Sequence, residues 1–343
     1  MCNRGKCFVA VLALATGLLP GPSLRAAEKG LRINLGTLAP RGSTYHQSLQ
    51  AMAEKWKRAP GGGVRLVIYA DGTQGSETDM VRLMRVGTLH AGLLTAVGLA
   101  EIETSVAGLQ SLPMMFHNFD EFEYVNDRLR PRLEKRLEEK GFVVLFWGDA
   151  GWVRYFSKAP MLTPDVMKKM KVFVCAGSPA QVDIMKRHGY HPVPLETGEI
   201  LPGLQTGLIN VVPAPPVFAL ATQIDTRAPH MLDIQWAPLL GACVVKREPW
   251  EKIPAASRET LLKAAAEAGK EIRANSRKES EESIAAMKKR GLIVHELTPD
   301  QAAKWRAAAD QIYPDMRGKL VPADIFDEVE RLLKEYRAGE GKR

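Results

Sequence analysis

The chain has 343 residues, 45% of them hydrophobic and 25% charged, and its formal net charge is +8. This length and composition are typical of a soluble protein of two domains, and no internal repeat or low-complexity tract is present. Basic and acidic residues are interleaved along the predicted helices, a pattern that excludes a nucleic-acid-binding face as the main feature of the surface.

The first 26 residues have the pattern of a cleaved signal peptide. Arg4 and Lys6 precede an apolar run, residues 7–18, and small residues follow at 24–27. This order predicts export across the inner membrane into the periplasm, and the run is shorter than a spanning helix requires. An uncleaved anchor is the alternative. Cleavage would leave two cysteines, Cys175 and Cys243, which we expect to be buried free thiols because each lies in an apolar strand-like segment.

The segment 27–150 predicts a first α/β domain. Strands are expected at 31–35, 64–69 and 89–94, and an amphipathic helix follows each of the first two strands. A β-α-β-α-β order favours a parallel sheet with right-handed crossovers. A charged helix at 120–141 and a strand at 143–147 complete this domain.

The segment 151–245 predicts most of a second α/β domain. A buried strand at 172–175 is followed by a Gly-Ser-Pro turn and a helix, and further strands are expected at 208–212 and 242–245. The remaining segment, 246–343, predicts a long helix, which continues to Gly291, and a closing amphipathic helix at 325–336. We expect these helices to return across both domains, with solvent on most sides of 273–282.

The strand at 172–175 indicates where a ligand would bind. Open α/β sheets bind ligands beyond the carboxyl ends of their strands, which here directs attention to Phe173–Pro179. This stretch offers an aromatic ring in an apolar setting and contains no Asp, Glu, Lys, Arg or His.

Six short motifs occur in the order found in a known family. They are Ile33–Pro40, Gly72–Glu77, Val86–Ala91, Leu112–Phe116, Gly177–Pro179 and Leu204–Gly207. With the long helix, this set covers nearly all of the chain after the signal peptide, and it resembles the solute-binding proteins of TRAP transporters (DctP-type).

The resemblance implies a two-domain periplasmic-binding-protein fold of the α/β class. In this family, hinge segments join the two domains, a long helix spans them, and the cleft between them closes on the ligand. The bound protein then delivers its ligand to a membrane permease. Members of the family are not enzymes, and the resemblance implies neither a cofactor nor a metal ion.

The sequence departs from the family at the positions that hold a ligand carboxylate. Family members usually have arginine where this chain has Phe173, and that guanidinium forms a bidentate pair with the ligand. The resemblance matches a second family arginine to Arg154. A polar family residue after the strand at 208–212 corresponds to Ala214 here.

These departures predict a hydrophobic or amphipathic ligand, which could be lipid-like. An unpaired carboxylate is costly to bury, whereas burying apolar surface contributes about 25 cal/mol per Å². The predicted cleft wall comprises Phe173, Val212, Ala214, Met114, Met115 and Trp152. Arg154 would touch a polar head group. A family branch that works with a tetratricopeptide partner also lacks the arginine, so such a periplasmic partner is a further expectation.

Several residues keep alternative interpretations at this stage. Phe173 is either a ligand wall or ordinary core, and Arg154 is either a ligand contact or part of a structural ion pair. Glu77 is either a polar cleft residue or a carboxylate in a helix-capping turn. Trp152 is more typical of a core. His188 and His191 lack a third ligand nearby, so we expect no metal site there.

Three function classes remain open. The first is an extracytoplasmic binding protein, either for an apolar ligand or for a carboxylate held by Arg154 alone. The second is a secreted enzyme, which would need a catalytic motif that the sequence does not display, and Cys175 has no histidine placed beside it by a known pattern. The third is an adaptor that binds protein, whose own side chains would block the cleft.

Overall fold

The structure, a computed structural model, describes residues 31–60 and 63–339. The predicted signal peptide lies outside these residues. The strands are β1 Leu31–Thr37, β2 Val64–Tyr69, β3 Ala91–Thr95, β4 Phe142–Trp152, β5 Arg154–Ser157, β6 Lys171–Cys175, β7 His191–Leu195, β8 Val211–Ala214, β9 His230–Leu232, β10 Pro238–Lys246 and β11 Ile293–His295. The helices are α1 Thr44–Lys57, α2 Glu77–Arg85, α3 Ala96–Ala100, α4 Phe119–Glu139, α5 Pro164–Met167, α6 Pro179–Arg187, α7 Ile200–Thr206, α8 Pro216–Ala221, α9 Arg247–Glu251, α10 Ala255–Lys289, α11 Pro299–Met316 and α12 Ala323–Arg337.

The first sheet has the strand order β2-β1-β3-β10-β4. β1 pairs in parallel with both β2 and β3, which confirms the predicted β-α-β-α-β unit. β10 runs antiparallel to β3 and β4. The carboxyl ends of β1 and β3 therefore lie at one edge, where α2 and α3 begin.

Local chemistry fixes the starts of the helices at this edge. Ser43 caps α1 by accepting a hydrogen bond from the His46 backbone N–H. Ser76 and Asp79 form a reciprocal capping box at the start of α2, which satisfies backbone donors that would otherwise have no partner. The buried face of α2 then packs on the sheet through apolar residues that include Met80 and Met84, both fully buried.

The second sheet has the strand order β11-β9-β5-β8-β6-β7. The predicted strand at 172–175 is β6, which pairs in parallel with β7 and β8. The predicted boundary of the second domain needs a correction, because β10, at the end of the segment 151–245, belongs to the first sheet. The chain returns to the first domain before it reaches residue 245, so the second domain is centred on β5 to β9.

Two adjacent short segments carry the chain between the sheets, and the long helix α10 makes a third connection, from β10 to β11. One short segment links β4 to β5 at Val153, and the other links β9 to β10 through Trp236 and Ala237. They are joined by backbone hydrogen bonds, from Val153 N–H to the Ala237 carbonyl at 2.9 Å and from Trp236 N–H to the Val153 carbonyl at 3.3 Å. Paired crossover segments of this kind are suited to act as a hinge.

The long helix α10 has 35 residues and packs against both β4 and α8. Residues 273–282 have solvent on most sides, as expected, but one face of the helix is buried there, where Ser276 is fully buried and Ser280 is 9% exposed. These small side chains allow the helix to lie close to the first sheet. At Gly269, an added Cβ would stand 2.7 Å from the Phe146 Cβ.

The C-terminal helices contact elements of both domains. α12 packs against α4, while α11 contacts α5 and α6 of the second domain. Arg337 near the end of α12 donates two hydrogen bonds of 2.9 Å to the buried carboxylate of Glu121 on α4. This pair fixes the last helix onto the first domain.

Cys175 and Cys243 are free thiols, as expected, and Cys243 is fully buried. Within 31–60 and 63–339, no helix combines the length and the apolar character needed to cross a membrane.

Candidate functional site

A cleft of about 520 Å³ lies between the two sheets. The ends of β1 and β3 and the starts of α2 and α3 form one wall, and β6, β8 and the turn before α6 form the other. This is the place that the sequence predicted from the strand at 172–175, at the carboxyl ends of parallel strands. Apolar side chains and backbone provide most of the lining.

The two walls approach each other closely at Gly177. A Cβ added to this glycine would lie only 2.7 Å from the Thr78 Oγ1 on α2 of the first domain. Such a distance is far below an ordinary van der Waals contact, so a residue without a side chain is required there. The structure therefore has the two domains in contact across the cleft.

The charged residues that line the cleft are predominantly acidic. They are Glu77, Glu101, Asp149 and Lys319. Among the described residues, the lining contains no arginine or histidine. The single lysine donates to Asp315 at 2.8 Å, a carboxylate that Arg187 and His188 also contact. A ligand carboxylate would find three carboxylates and one cation in this lining.

Glu77 lies in the cleft wall, but its carboxylate is occupied by the protein itself. It accepts hydrogen bonds from the Thr95 backbone N–H at 2.6 Å, the Thr95 hydroxyl at 2.5 Å and the Gly98 N–H at 3.0 Å. Burial raises the pKa of Glu77, and these three hydrogen bonds oppose the shift. Glu77 thus fastens α2 to the β3-α3 turn.

Phe173 both lines the cleft and belongs to a buried cluster. Its side chain is 9% exposed and packs in the core of the second domain with residues that include Phe156 and Val212. Ala214, at the end of the neighbouring β8, also lines the cleft. Phe173 and Ala214, the two positions at which the family resemblance leads one to expect polar residues, are therefore brought to the same wall.

Arg154 is not among the residues that line the cleft. Its Nε lies 2.8 Å from the Asp233 carboxylate, and a terminal nitrogen donates to the Ile234 carbonyl at 3.0 Å. Arg154 is paired with Ala214 across β5 and β8, so the two side chains share one face of the sheet, and the Arg154 guanidinium is held by Asp233 and Ile234. Burial lowers the pKa of Arg154, and Asp233 opposes this shift.

Four other predicted site residues also lie outside the cleft lining. Trp152 is 5% exposed and packs on the Phe119 ring at a centroid distance of 5.1 Å. Val212 is fully buried in the core of the second domain. Met114 and Met115 pack within the core of the first domain, and their neighbour Pro113 reaches the cleft instead. In this arrangement these four residues support the walls from behind.

Asp149 is a cleft residue that the sequence analysis missed. It is 2% exposed, and only its Oδ1 accepts hydrogen bonds, from Gly151 N–H at 3.3 Å and from the Ser276 hydroxyl at 3.4 Å. Burial raises its pKa, and the charges of Arg277 and Arg273 on α10 partly oppose the shift. Asp149 lies two residues before Gly151, whose φ is +81°, and beside an irregularity in the pairing of β4 with β10. This combination was the available signal for a functional residue.

Aromatic rings form another part of the lining. Tyr155 and Trp236 both reach the cleft, and their ring centroids are 5.1 Å apart in an edge-to-face arrangement. Trp305 of α11 supports both from behind at 5.9 Å and donates its indole N–H to the Leu162 carbonyl. The Tyr155 hydroxyl makes no hydrogen bond to any described residue, although the residue is 3% exposed.

The remaining candidates lack a chemical role in the cleft. Burial raises the pKa of the Cys175 thiol, which keeps it protonated, and no imidazole stands beside it in the lining. His188 lies 3.0 Å from the Asp315 carboxylate, while His191 begins β7. No group of three or more potential metal ligands occurs within the described ranges 31–60 and 63–339.

The comparisons with known proteins agree on one family. A model described as bacterial extracellular solute-binding protein, family 7 (DctP) matches residues 35–319. The chain is 22% identical over 273 residues to the C4-dicarboxylate-binding periplasmic protein DctP of Rhodobacter capsulatus, covering 79% of this chain and 81% of that protein. It is 25% identical over 338 residues to the 2,3-diketo-L-gulonate-binding periplasmic protein of Escherichia coli, covering 95% and 97%.

Solved structures share the fold at low sequence identity. A TRAP periplasmic solute-binding protein of Ralstonia eutropha H16, with bound (S)-2-acetolactate, aligns with a TM-score of 0.81 at 20% identity, over 89% of this chain and 99% of that one. A Sulfurospirillum deleyianum protein with bound succinate aligns with a TM-score of 0.80 at 20% identity, over 88% and 99%. These alignments confirm the two-domain α/β fold.

Proposed function

The chain belongs to bacterial extracellular solute-binding protein family 7, the DctP family, and from this premise we propose that it is the periplasmic receptor of a TRAP-type transporter for a largely apolar ligand. The ligand binds in the interdomain cleft and is delivered to the membrane permease. Closure occurs about the paired crossover segments at Val153 and Ala237. Phe173 and Ala214 form part of the wall against which the ligand packs.

One observation carries the ligand class: the cleft lining has a single basic side chain, Lys319, and that side chain is paired with Asp315. A buried carboxylate without a cation costs several kcal/mol, and the three carboxylates in this lining would add repulsion. Apolar surface in contact with the walls contributes about 25 cal/mol per Å². The balance favours an uncharged or basic, mainly apolar molecule over an acid.

The alternative of a carboxylate held by Arg154 alone is less well supported. Its guanidinium already has a carboxylate partner, Asp233, and Arg154 is not among the residues that line the cleft. Recruiting it would require breaking that pair. The proposal therefore differs from the acids held by the solved neighbours, such as succinate and acetolactate.

A tetratricopeptide partner and a lipid-like ligand remain expectations drawn from the family resemblance. An exported protein is also part of the proposal, since the signal-peptide prediction rests on residues 1–26 alone. The family membership favours a receptor over an enzyme.

Isothermal titration calorimetry tests the proposal directly. The protein is first freed of any co-purified ligand by unfolding and refolding in urea. Succinate, glucuronate and sialic acid are then titrated beside n-octanol as an apolar probe. We expect measurable binding of octanol and none of the acids at millimolar concentration. Micromolar binding of any acid, with no binding of octanol, would refute the ligand class.

A further inference from the structure

Asp149 is a cleft residue whose carboxylate the protein leaves partly without partners. Asp149 is nearly fully buried and lines the cleft, yet its Oδ2 accepts no hydrogen bond from any described residue. Both hydrogen bonds to Oδ1 are long, at 3.3 and 3.4 Å. Oδ2 is also not among the fully buried atoms that lack a partner, so it is open to a donor from outside the described residues, such as a ligand in the cleft.

The other cleft carboxylates differ from Asp149. Glu77 is fully engaged by three donors from the β3-α3 turn. Glu101 is only partly buried, so water can solvate it. Among the described residues, no lysine, arginine or histidine nitrogen lies within 4 Å of the Asp149 carboxylate. The arginines behind it are used elsewhere, since Arg273 donates to the Trp147 carbonyl and Arg277 to the Glu123 carboxylate.

The backbone around Asp149 holds this oxygen in place. The Tyr45 hydroxyl donates to the Asp149 carbonyl at 2.6 Å, and Ser276 from α10 contacts Oδ1. The pairing of β4 with β10 changes register between Pro238 and Leu240, opposite this segment. Such irregularities redirect side chains and are common beside binding sites.

Two further features of the cleft suit a positively charged group. Tyr155 and Trp236 both line the cleft, and aromatic rings attract ammonium groups. The Tyr155 hydroxyl has no partner among the described residues, so it can accept or donate a hydrogen bond to a ligand. The acidic excess of the lining also attracts cations.

We propose that Asp149 anchors a protonated nitrogen of the ligand, such as a primary ammonium, while the apolar remainder packs in the cleft. This inference rests on the proposed function, because it adds a basic group to the apolar ligand proposed there. A charge-assisted hydrogen bond in a water-poor cleft favours the amine over an alcohol of equal length by about 10- to 100-fold.

Three probes of equal chain length test the inference in the wild-type protein. n-Octylamine, n-octanol and n-octanoate are titrated calorimetrically at pH 7 into protein freed of co-purified ligand. We expect affinity to fall in the order amine, alcohol, acid. Octylamine that binds no more tightly than octanol, or that does not bind at all, overturns the anchor without any variant being made.

Two variants then locate the effect. Asp149→Asn keeps the shape and removes the charge, so the advantage of octylamine over octanol is expected to fall at least tenfold while octanol itself changes less than threefold. Glu101→Gln removes an equal charge from the same lining and is the matched control, expected to keep most of the advantage. If the advantage of octylamine over octanol fell equally in the two variants, the amine would be attracted by the combined negative charge of the lining. That result would overturn the assignment to Asp149.

The outcomes separate this inference from the proposed function. Octanol binding without an amine preference refutes the anchor and leaves the apolar receptor standing. Succinate binding with no octyl probe bound refutes both.

Discussion

Phe173 offers the sharpest test, because the structure gives it two roles that separate under mutation. The ring packs in the buried cluster of the second domain and also borders the cleft. Phe173→Ala should therefore lower both the free energy of unfolding and the affinity for an apolar ligand. Phe156, fully buried in the same cluster and absent from the cleft lining, is the matched control.

The expected magnitude follows from the burial of the ring. An aromatic side chain covers about 150–250 Å², which at about 25 cal/mol per Å² corresponds to roughly 4–6 kcal/mol when fully buried. Phe-to-Ala changes in cores cost about 3–5 kcal/mol. Phe173 borders an open cleft that water can enter, so we expect a loss of about 2–3 kcal/mol. Phe156→Ala should cost about 4–5 kcal/mol, since its site is closed.

The affinity for an apolar ligand distinguishes Phe173→Ala from Phe156→Ala. Removing a ring face of about 50 Å² from contact with an octyl chain costs about 1.3 kcal/mol, or nearly tenfold in affinity. Phe173→Ala is expected to weaken octanol binding by this factor, whereas Phe156→Ala leaves it within threefold of wild type. Urea denaturation of ligand-free protein and calorimetric titration supply the two measurements.

Two results would refute the dual role. A Phe173→Ala variant within 1 kcal/mol of wild-type stability would mean that the ring is not part of the core. Unchanged octanol affinity would mean that it is not a ligand wall.

Two further predictions concern the end of the chain and the contact between the domains. Arg337 and the His117 N–H hold the pKa of Glu121 below its usual value of 4.5, although burial acts to raise it. The pair therefore contributes stability above pH 4.5 that is lost as pH falls through the lower folded-state pKa. Glu121→Gln should cost about 1–2 kcal/mol at pH 7 in urea denaturation, because Arg337 is partly exposed, and the difference should shrink between pH 5 and pH 3. A pH-independent difference would contradict this. Gly177→Val should hold the domains apart, raising the radius of gyration in X-ray scattering and weakening octanol binding, since a Cβ there meets Thr78 at 2.7 Å. Gly198→Val, with open space around it, is expected to resemble wild type, and equal behaviour of the two variants would refute the contact.

Much of the fold was predictable because the pattern of each element agreed with its environment. The parallel unit of β1, β2 and β3 alternates with amphipathic helices and has clear caps, and the strand pairing confirms it. β7 was missed because Pro192 and Pro194 lie within it, and proline is unfavourable in most strand positions. The buried face of α10 was missed because serines occupy it, and hydrophobic periodicity does not register small polar residues.

The position of the cleft could be predicted from the sequence, but several of the residues that line it could not. Phe173 and Ala214 line the cleft, as expected from the carboxyl ends of β6 and β8. Arg154 does not line it, because Asp233 and the Ile234 carbonyl hold its guanidinium, and the family match carries no information about such partners. Asp149 depends on the irregular pairing of β4 with β10, a contact between residues far apart in sequence.

The central claim is that the cleft excludes acids and holds a mainly apolar ligand. Native mass spectrometry of the protein isolated from the periplasm, followed by identification of the released ligand, tests it most directly. The account predicts a neutral or basic molecule with a large apolar part and no carboxylate. Recovery of a small acid such as succinate or a uronate, bound one to one, would contradict it.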